Sequence, residues 1–405
     1  MEKSNLILFT DSYYPFKDST SKINTIIANN ISQYDEITIV CARNLFSKDL
    51  ILEKVSENLL IRRLPIPFVN TRSIPLKIIK FISFALLIST YLLLKKRSRS
   101  IYLVSTSPPV IIPLLAFFIK IENSFRSHNI KKILLAQDIY PDILVSVNNS
   151  SIFKKSILRI LNIVYKYSYK EFDLTISCCE PIKNKLIKKY KVKESKIKVI
   201  NNWSLIDHNV IRNQNRYALE NGQTIKMFLI GNVGKVHLYQ QTAGTLRNIL
   251  NKSNLIDSLH MYTSGAHHLD MRNELKDLKN VFLHKPVNAN DLAKAYSSHS
   301  ITIVPLTQTA SECAFPSRIA TAMSLGSPII VITDSILNNY LSDFINKYNI
   351  GLILTKKDIL NEHDFISEDF KTNFNFYQKN CLRLYKELFT KEENLNTIVK
   401  VIKSI

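Results

Sequence analysis

Short apolar runs rich in β-branched residues recur in the first half of the chain, at Leu6–Phe9, Glu36–Val40, Ile101–Val104, Ile133–Ala136, Leu174–Ser177 and Ile197–Ile200. Between them lie longer stretches with helical spacing, such as Ser21–Ser32 and Ile152–Glu171. Strands that alternate with helices predict a parallel sheet covered by helices. After Trp203 the pattern starts again, with runs at Lys226–Ile230, Ser258–Tyr262, Val281–Leu283, Ile301–Val304, Ile329–Ile332 and Gly351–Leu354. The polar segment Asp207–Gly222 separates the two sets and reads as a linker, and Phe374–Ile405 reads as closing helices. The expected architecture is α/β, two doubly wound, Rossmann-like domains facing across a cleft. Residues 1–206 form the first domain, 207–222 the linker and 223–375 the second domain, with helices at 376–405 packing back on the first. Ligands in such sheets bind beyond the carboxyl ends of the strands.

The stretch Leu76–Leu94 departs from this alternation. From Phe81 it runs 14 residues without a charge, short of the roughly 20 that span a bilayer. Lys77 and Lys80 precede the run, and Lys95-Lys96-Arg97-Ser98-Arg99 follows it. A helix of this kind lies in the headgroup region, each cation gaining about 1 kcal/mol from anionic lipid. The alternative is a buried core helix with solvated lysines at its start. A second apolar run, Val110–Ile119, is broken by Pro113 and reads as helix packing.

Charge sharpens the contrast between the halves. The chain has 405 residues and a formal charge of +21. Residues 1–200 hold 32 Lys and Arg against 15 Asp and Glu, whereas the remainder holds 22 against 18. The first half therefore faces something anionic: lipid, nucleic acid or a phosphorylated substrate. The lysine-dense run Lys183–Lys198 has no nucleic-acid fold motif and, apart from Tyr190, no interleaved aromatics, so nucleic acid is not an expected partner. Five cysteines (Cys41, Cys178, Cys179, Cys313, Cys381) lack metal or disulfide spacing and point to a reducing compartment. The run Asn5–Asp11 is too short for a signal peptide. A cytoplasmic protein attached peripherally to the inner face of the membrane is expected.

The chemistry concentrates at Phe315–Pro328, which reads as a loop, a small-residue helix and a glycine stop before the strand Ile329–Ile332. Pro316 suits a helix start, where its missing N–H would be an orphan anyway. Gly326 suits the helix end, and Pro328 prevents continuation. A helix that opens on Ser317 and Arg318 is a natural anion site, combining free N–H groups, a positive dipole end and a guanidinium.

Five islands in order resemble a known family. Tyr13-Tyr14-Pro15 resembles a tyrosine-proline loop after the first strand, and Gln137-Asp138-Ile139-Tyr140-Pro141-Asp142 an Asp-Leu-Trp-Pro-Glu segment. Ile200-Asn201-Asn202-Trp203 is similar to an Ile-Pro-Asn-Trp ending of the first domain, and Gly231-Asn232-Val233-Gly234-Lys235 to a Gly-Asn-hydrophobic-Gly loop opening the second. Pro316–Pro328 resembles a Pro-Ser-Lys/Arg helix with a Gly-x-Pro end. Together they resemble bacterial GT-B glycosyltransferases of the family 4 type that build O-antigen, capsule or colanic-acid-like polysaccharides.

The resemblance implies transfer of a sugar from a nucleotide sugar, with retention of configuration and no bound metal or cofactor, to a polyprenyl-diphosphate-linked saccharide at the anionic inner leaflet. Stabilising charge on the departing diphosphate is then the main catalytic demand. Lys235 and Arg318 are the candidate cations. Gly231, Asn232, Gly234, Glu312, Pro316, Ser317 and Thr321 are the candidate donor-binding residues, the glycines admitting backbone N–H groups close to phosphate. Lys235 also fits a plain solvated lysine, and Arg318 a bridge to Glu312. Asp138 and Asp142 are candidates to orient or deprotonate the acceptor hydroxyl, and Asp142 also fits a helix cap. His237, His267 and His268 lie near these loops, within possible reach of a donor.

Departures from the pattern are informative. Phe16–Ser21 has no glycine where many members do, leaving Asp18 and Ser19 as side-chain options. The two glutamates that many members carry fall here on Cys313 and Thr321, with Glu312 one residue off the first. The second glutamate commonly holds the ribose hydroxyls, so Thr321 puts that contact in question. Two rival readings stay open: a non-enzymatic basic protein for membrane or nucleic acid, and a GT-B sugar-nucleotide epimerase.

Overall fold

The computed structural model describes residues 5–16, 18–33, 36–47, 50–68, 74–94, 100–125, 130–145, 152–207, 209–210, 219–220, 222–296, 299–356, 358, 366 and 368–405. Two compact units make up the chain. One comprises Met1–Asn201 with Glu392–Ile405, the other Asn202–Lys391. Asn202–Ile206 thus group with the second unit. The linker stretch is anchored to that unit at both ends: Asp207 N–H donates to Asn290 Oδ1 at 2.9 Å and Leu219 N–H to Asn375 Oδ1 at 3.1 Å. Residues 208, 211–218 and 221 of that stretch lie outside the described residues.

The first unit is built on an eight-stranded sheet of order β3-β4-β2-β1-β5-β6-β7-β8. Its strands are β1 (Asn5–Phe9), β2 (Glu36–Asn44), β3 (Leu52–Ser56), β4 (Leu59–Ile66), β5 (Ser100–Ser105), β6 (Lys131–Ala136), β7 (Leu174–Ser177) and β8 (Ile197–Val199). All neighbours are parallel except the β3–β4 pair. The short apolar runs form strands because both sheet faces are covered. Leu6, Ile7, Leu8 and Phe9 are all buried, as parallel sheets demand. The β3–β4 hairpin was not expected, because Arg62, Arg63 and Pro65 interrupt its apolar pattern. Arg63 is nevertheless only 3% exposed, its Nη1 donating to Glu53 Oε2 across the hairpin at 2.5 Å. An ion pair stands where an apolar pair would have advertised the strand.

The second unit carries a six-stranded parallel sheet of order β11-β10-β9-β12-β13-β14. Its strands are β9 (Ile225–Asn232), β10 (Ile256–Ser264), β11 (Val281–Leu283), β12 (Ser300–Pro305), β13 (Ile329–Thr333) and β14 (Gly351–Thr355). Met227, Leu229, Leu259, Met261, Ile301 and Ile303 share one core cluster with Phe370 and Phe374 of the helix Glu368–Leu388. Every strand therefore ends at the same edge, where the connecting loops gather. The second closing helix, Lys391–Lys403, counts almost wholly with the first unit.

The helix Ile74–Leu94 resolves the ambiguity of its sequence. Only 17% of its most apolar window is buried, so it is not a core helix. By length and composition it is long and apolar enough to cross a membrane, yet one stripe is docked. Phe84, Ile88 and Leu92 are at most 3% exposed, Tyr91 meets Phe9 edge-on at 6.3 Å, and Lys80 Nζ lies 2.7 Å from Asp11 Oδ2. A helix tied to the sheet by a core stripe and an ion pair lies along its domain. The opposite stripe, Ile78, Ile82, Leu86 and Leu93, is 54–65% exposed. Pro113 does not break the following helix, Ile111–Phe125. It sits in the first turn, where no intrahelical N–H is required of it.

The two stripes have different energetics. Ile88→Ala is expected to cost about 2–5 kcal/mol in urea unfolding, and Ile82→Ser no more than about 0.5 kcal/mol. Equal costs would contradict the docked orientation.

Candidate functional site

In the second unit, three loops beyond the strand ends are clamped together. β9 closes on Gly231, whose φ of +86° lies in the region that side chains avoid. Gly265, after β10, has φ +102°, and a Cβ there would sit 1.8 Å from Asn232 Oδ1. Only glycine lets the Asn232 side chain lie on that backbone. Val233 N–H donates to Ser264 O at 2.8 Å and His267 N–H to Val233 O at 2.9 Å, joining the β9 and β10 loops. Thr307 N–H donates to Val236 O at 2.9 Å, which adds the β12 loop.

The helix Ser317–Ser324 opens toward this cluster. Its N-cap, Pro316, provides no side-chain cap, and within the first turn Ile319 N–H donates to Pro316 O at 3.0 Å. Gly326, at φ +61°, ends the helix as its sequence predicts. Ser324 Oγ donates to Ser204 Oγ at 3.0 Å, fixing the far end.

Arg318 projects from the first turn and is only 8% exposed. Its Nη2 donates to Asn232 O at 2.8 Å and lies 3.2 Å from His237 Nε2. Nη1 is buried with no hydrogen-bond partner among the described residues. The bridge to Glu312 left open by the sequence is not among its contacts, and Glu312 Oε1 accepts from Gln308 Nε2 at 2.9 Å. Burial pulls the guanidinium pKa down to about 10. A buried cation with an unfilled donor calls for an anionic oxygen.

Lys235 is exposed and, among the described residues, has no ion-pair partner. Gly234 behaves differently from expectation. Its N–H donates to His237 Nδ1 at 2.9 Å and so is not offered to a phosphate, and a Cβ there would make only ordinary contacts. Thr321 Oγ1 turns back to Ser317 O at 3.4 Å. His268 Nδ1 lies 2.7 Å from Gly265 O, and His267 stacks on Tyr239 while its Nδ1 meets Asp270 Oδ2 at 2.8 Å.

In the first unit, Asp138 follows β6 at the carboxyl edge. Its N–H lies 3.4 Å from Thr106 Oγ1, and burial pushes its carboxyl up to about 6. Asp142 is occupied. Lys189 Nζ donates to its Oδ1 at 2.7 Å, Lys185 Nζ stands 3.6 Å away, and the Tyr190 hydroxyl donates to Oδ2. Asp18 caps the helix Ser19–Ile31, accepting from Ser21 N–H at 2.9 Å and Ser12 Oγ at 2.6 Å, so it is not a free donor contact. The lysine run is also engaged within the unit. Lys183 meets Glu194 at 2.9 Å, and Lys196 Nζ donates to the carbonyls of Lys170 and Phe172 at 3.1 and 2.9 Å.

Comparison with solved structures identifies the fold. The chain is similar to sucrose-phosphate synthase from Thermosynechococcus elongatus, with 12% identity, 99% of both chains covered and a TM-score of 0.68. It is similar to an α,α-trehalose-phosphate synthase (UDP-forming) from Burkholderia vietnamiensis, at 9% identity, covering 99% of this chain and 100% of that one, TM-score 0.67. WaaG, a glycosyltransferase involved in lipopolysaccharide biosynthesis, matches at 9% identity over 98% of this chain and 99% of its own, TM-score 0.63. No protein-family model and no curated protein sequence matches the chain. The two-domain α/β architecture is that of GT-B glycosyltransferases.

Burial and the Arg318 charge hold the His237 pKa at about 3 in the folded protein, against about 6.5 unfolded. The unfolded chain therefore takes up the proton first, and stability is lost as pH falls below about 6.5. Between pH 7 and pH 5, urea unfolding of the native sequence is expected to lose about 1–2 kcal/mol more than His237→Gln. Parallel pH profiles would contradict a half-buried neutral imidazole.

Proposed function

We propose that this protein is a glycosyltransferase that moves a sugar from a nucleotide-sugar donor to a lipid-linked saccharide in surface polysaccharide synthesis, of the O-antigen or capsule type. The observation that carries the reading is the buried Arg318 guanidinium, with Nη1 unfilled, beside the Gly231 turn and at an uncapped helix start. A diphosphate suits that arrangement in charge, in donor count and in its place at a strand end. The fold supports the same reading, as does the similarity to enzymes of sucrose-phosphate, trehalose-phosphate and lipopolysaccharide synthesis.

In this reading, the donor diphosphate lies at Ser317 and Arg318 with Lys235 beside it. As the glycosidic bond to phosphate breaks, negative charge grows on the leaving group. Arg318, held by Asn232 O, meets it with little reorganisation, and Lys235 is the second cation proposed for the same charge. Pro316 and Ser317 present the helix start, Gly231 and Asn232 form the adjoining wall, and Glu312 and Thr321 border the ribose. The nucleotide sugar is a substrate, and the reading needs no resident metal or cofactor. Retention of anomeric configuration is part of the proposal. Asp138 is assigned to the acceptor hydroxyl, because a carboxylate with a pKa near 6 is ionised at neutral pH and still a useful base. Asp142, held by two lysines and a tyrosine, is left out of that role.

The acceptor's lipid has a counterpart on the first unit. The outer stripe of the helix Ile74–Leu94 is joined by Phe117 and Ile121 on the helix Ile111–Phe125 and by Ile157, Ile160, Ile163 and Tyr167 on the helix Ile152–Lys170, all 42–68% exposed. These helices connect successive parallel strands from β4 to β7, and right-handed crossovers in one direction place them on one sheet face. An apolar surface on a strongly basic half fits the interfacial zone of an anionic inner-leaflet membrane. An epimerase, with a soluble substrate, has no use for it.

Four results test the proposal. Thermal unfolding in the presence of UDP, GDP, dTDP, CMP and their sugar conjugates is expected to show stabilisation selective for one base, about 2.7 kcal/mol at 100 times the dissociation constant. A flat panel would remove the donor site. With the donor so identified, Arg318→Ala and Lys235→Ala should each lower turnover, by about 10²–10³ for Arg318. Asp138→Asn should abolish the fall in kcat/KM expected as pH drops through about 6. For the membrane surface, flotation with vesicles rich in phosphatidylglycerol should exceed that with neutral vesicles, and Leu86→Glu should reduce it. Indifference to both changes would exclude the surface.

A further inference from the structure

We propose that His237 is a donor-binding residue, its Nε2–H sharing one diphosphate oxygen with the Arg318 guanidinium. This rests on the reading of the Gly231–Lys235 loop and the Ser317 helix start as a diphosphate site, and it adds a residue to that site. A neutral imidazole has one lone-pair nitrogen and one N–H. His237 is met by donors at both nitrogens: Gly234 N–H at Nδ1, 2.9 Å away, and Arg318 Nη2 at Nε2, 3.2 Å away. A guanidinium has no acceptor and keeps its protons, so one of these contacts sets donor against donor. The Gly234 contact is the shorter, and it lies within the turn Lys235–His237 that Gly234 caps. The lone pair therefore belongs to Nδ1 and the proton to Nε2.

The consequence is a cluster of donors with one acceptor among the described residues, Asn232 O, which takes Nη2 at 2.8 Å. Nε2–H and Nη2 oppose one another at 3.2 Å, and Nη1 of the same guanidinium is buried and unpartnered. Protonating the imidazole gives no relief, since it places a second positive charge against Arg318; burial and that guanidinium already hold the ring neutral. An oxygen that accepts from both Nε2–H and the guanidinium removes the opposition and fills the open donor together. The Val236 carbonyl is taken by Thr307 N–H and the His237 carbonyl by Thr242 Oγ1, so the ring is set by its backbone before any ligand arrives. A phosphoryl oxygen of a diphosphate has the charge and the lone pairs required.

The experiment compares inorganic pyrophosphate and the stabilising nucleoside diphosphate, by titration calorimetry, on the native protein, His237→Ala, His237→Gln and Arg318→Lys. Native protein should bind both ligands, with His237→Ala weaker by about tenfold. His237→Gln, which can place a side-chain N–H near the same point, should be intermediate. In parallel, ¹⁵N-histidine spectra of the native protein should show a neutral ring protonated at Nε2, with that resonance moved by pyrophosphate. This readout does not depend on any variant folding. Unchanged affinity in both His237 variants, alongside a loss in Arg318→Lys, would overturn the role of His237 and leave the diphosphate site standing. A ring protonated at Nδ1, or an Nε2 resonance indifferent to pyrophosphate, would also overturn it. A native protein that binds neither ligand would overturn the underlying site together with the inference.

Discussion

Arg318 is drawn out of water on a helix whose first turn has no capping side chain, and the second unit's loops are arranged around that fact. A buried guanidinium is tolerable only when its N–H groups find oxygen. Asn232 O satisfies one side, at 2.8 Å, and it is available because Gly231 turns the chain at φ +86°. Asn232 in turn lies on Gly265, where a Cβ would stand 1.8 Å from its Oδ1. One cation thus dictates two glycines and the contact of two strand-end loops. What remains unfilled is the Nη1 donor of the same group, and a ligand is the simplest way to meet it.

The strand and helix plan was legible because it rests on burial. Runs such as Leu6–Phe9 and Ile329–Ile332 are apolar at every position, and parallel strands covered on both faces ask for that. The hairpin Leu52–Ile66 was not legible, since Arg63 is buried by pairing with Glu53 rather than by being apolar. Pro113 was misread for a related reason: a proline's effect depends on its turn of the helix, which spacing alone does not locate.

The site was legible in part. Arg318 and Gly231 were visible as a helix start and a turn. The engagement of Gly234 with His237, of Asp142 with Lys189 and Tyr190, and of Asp18 as a cap could not be read, because each depends on which hydrogen bond an individual polar group makes. His237 carried one signal that spacing alone could have offered, its place three residues after Gly234. Which nitrogen holds its proton emerges only when both neighbours are located. Asp11, at the end of β1, shows the same limit: Lys80 and Ser107 both reach it, at 2.7 and 2.6 Å, from segments 69 and 96 positions away.

None of the five cysteines is in a disulfide and all are buried, and burial pushes the Cys381 thiol well above its ordinary range. Thiolates, not thiols, react with alkylating reagents, so the native protein is close to silent toward them. A cysteine introduced on the outer stripe of the long apolar helix, as in Leu86→Cys, would then be the dominant reactive group in the folded molecule. A polarity-sensitive fluorophore attached there would record, in real time and without separating bound from free protein, whether that face is in water or in hydrocarbon.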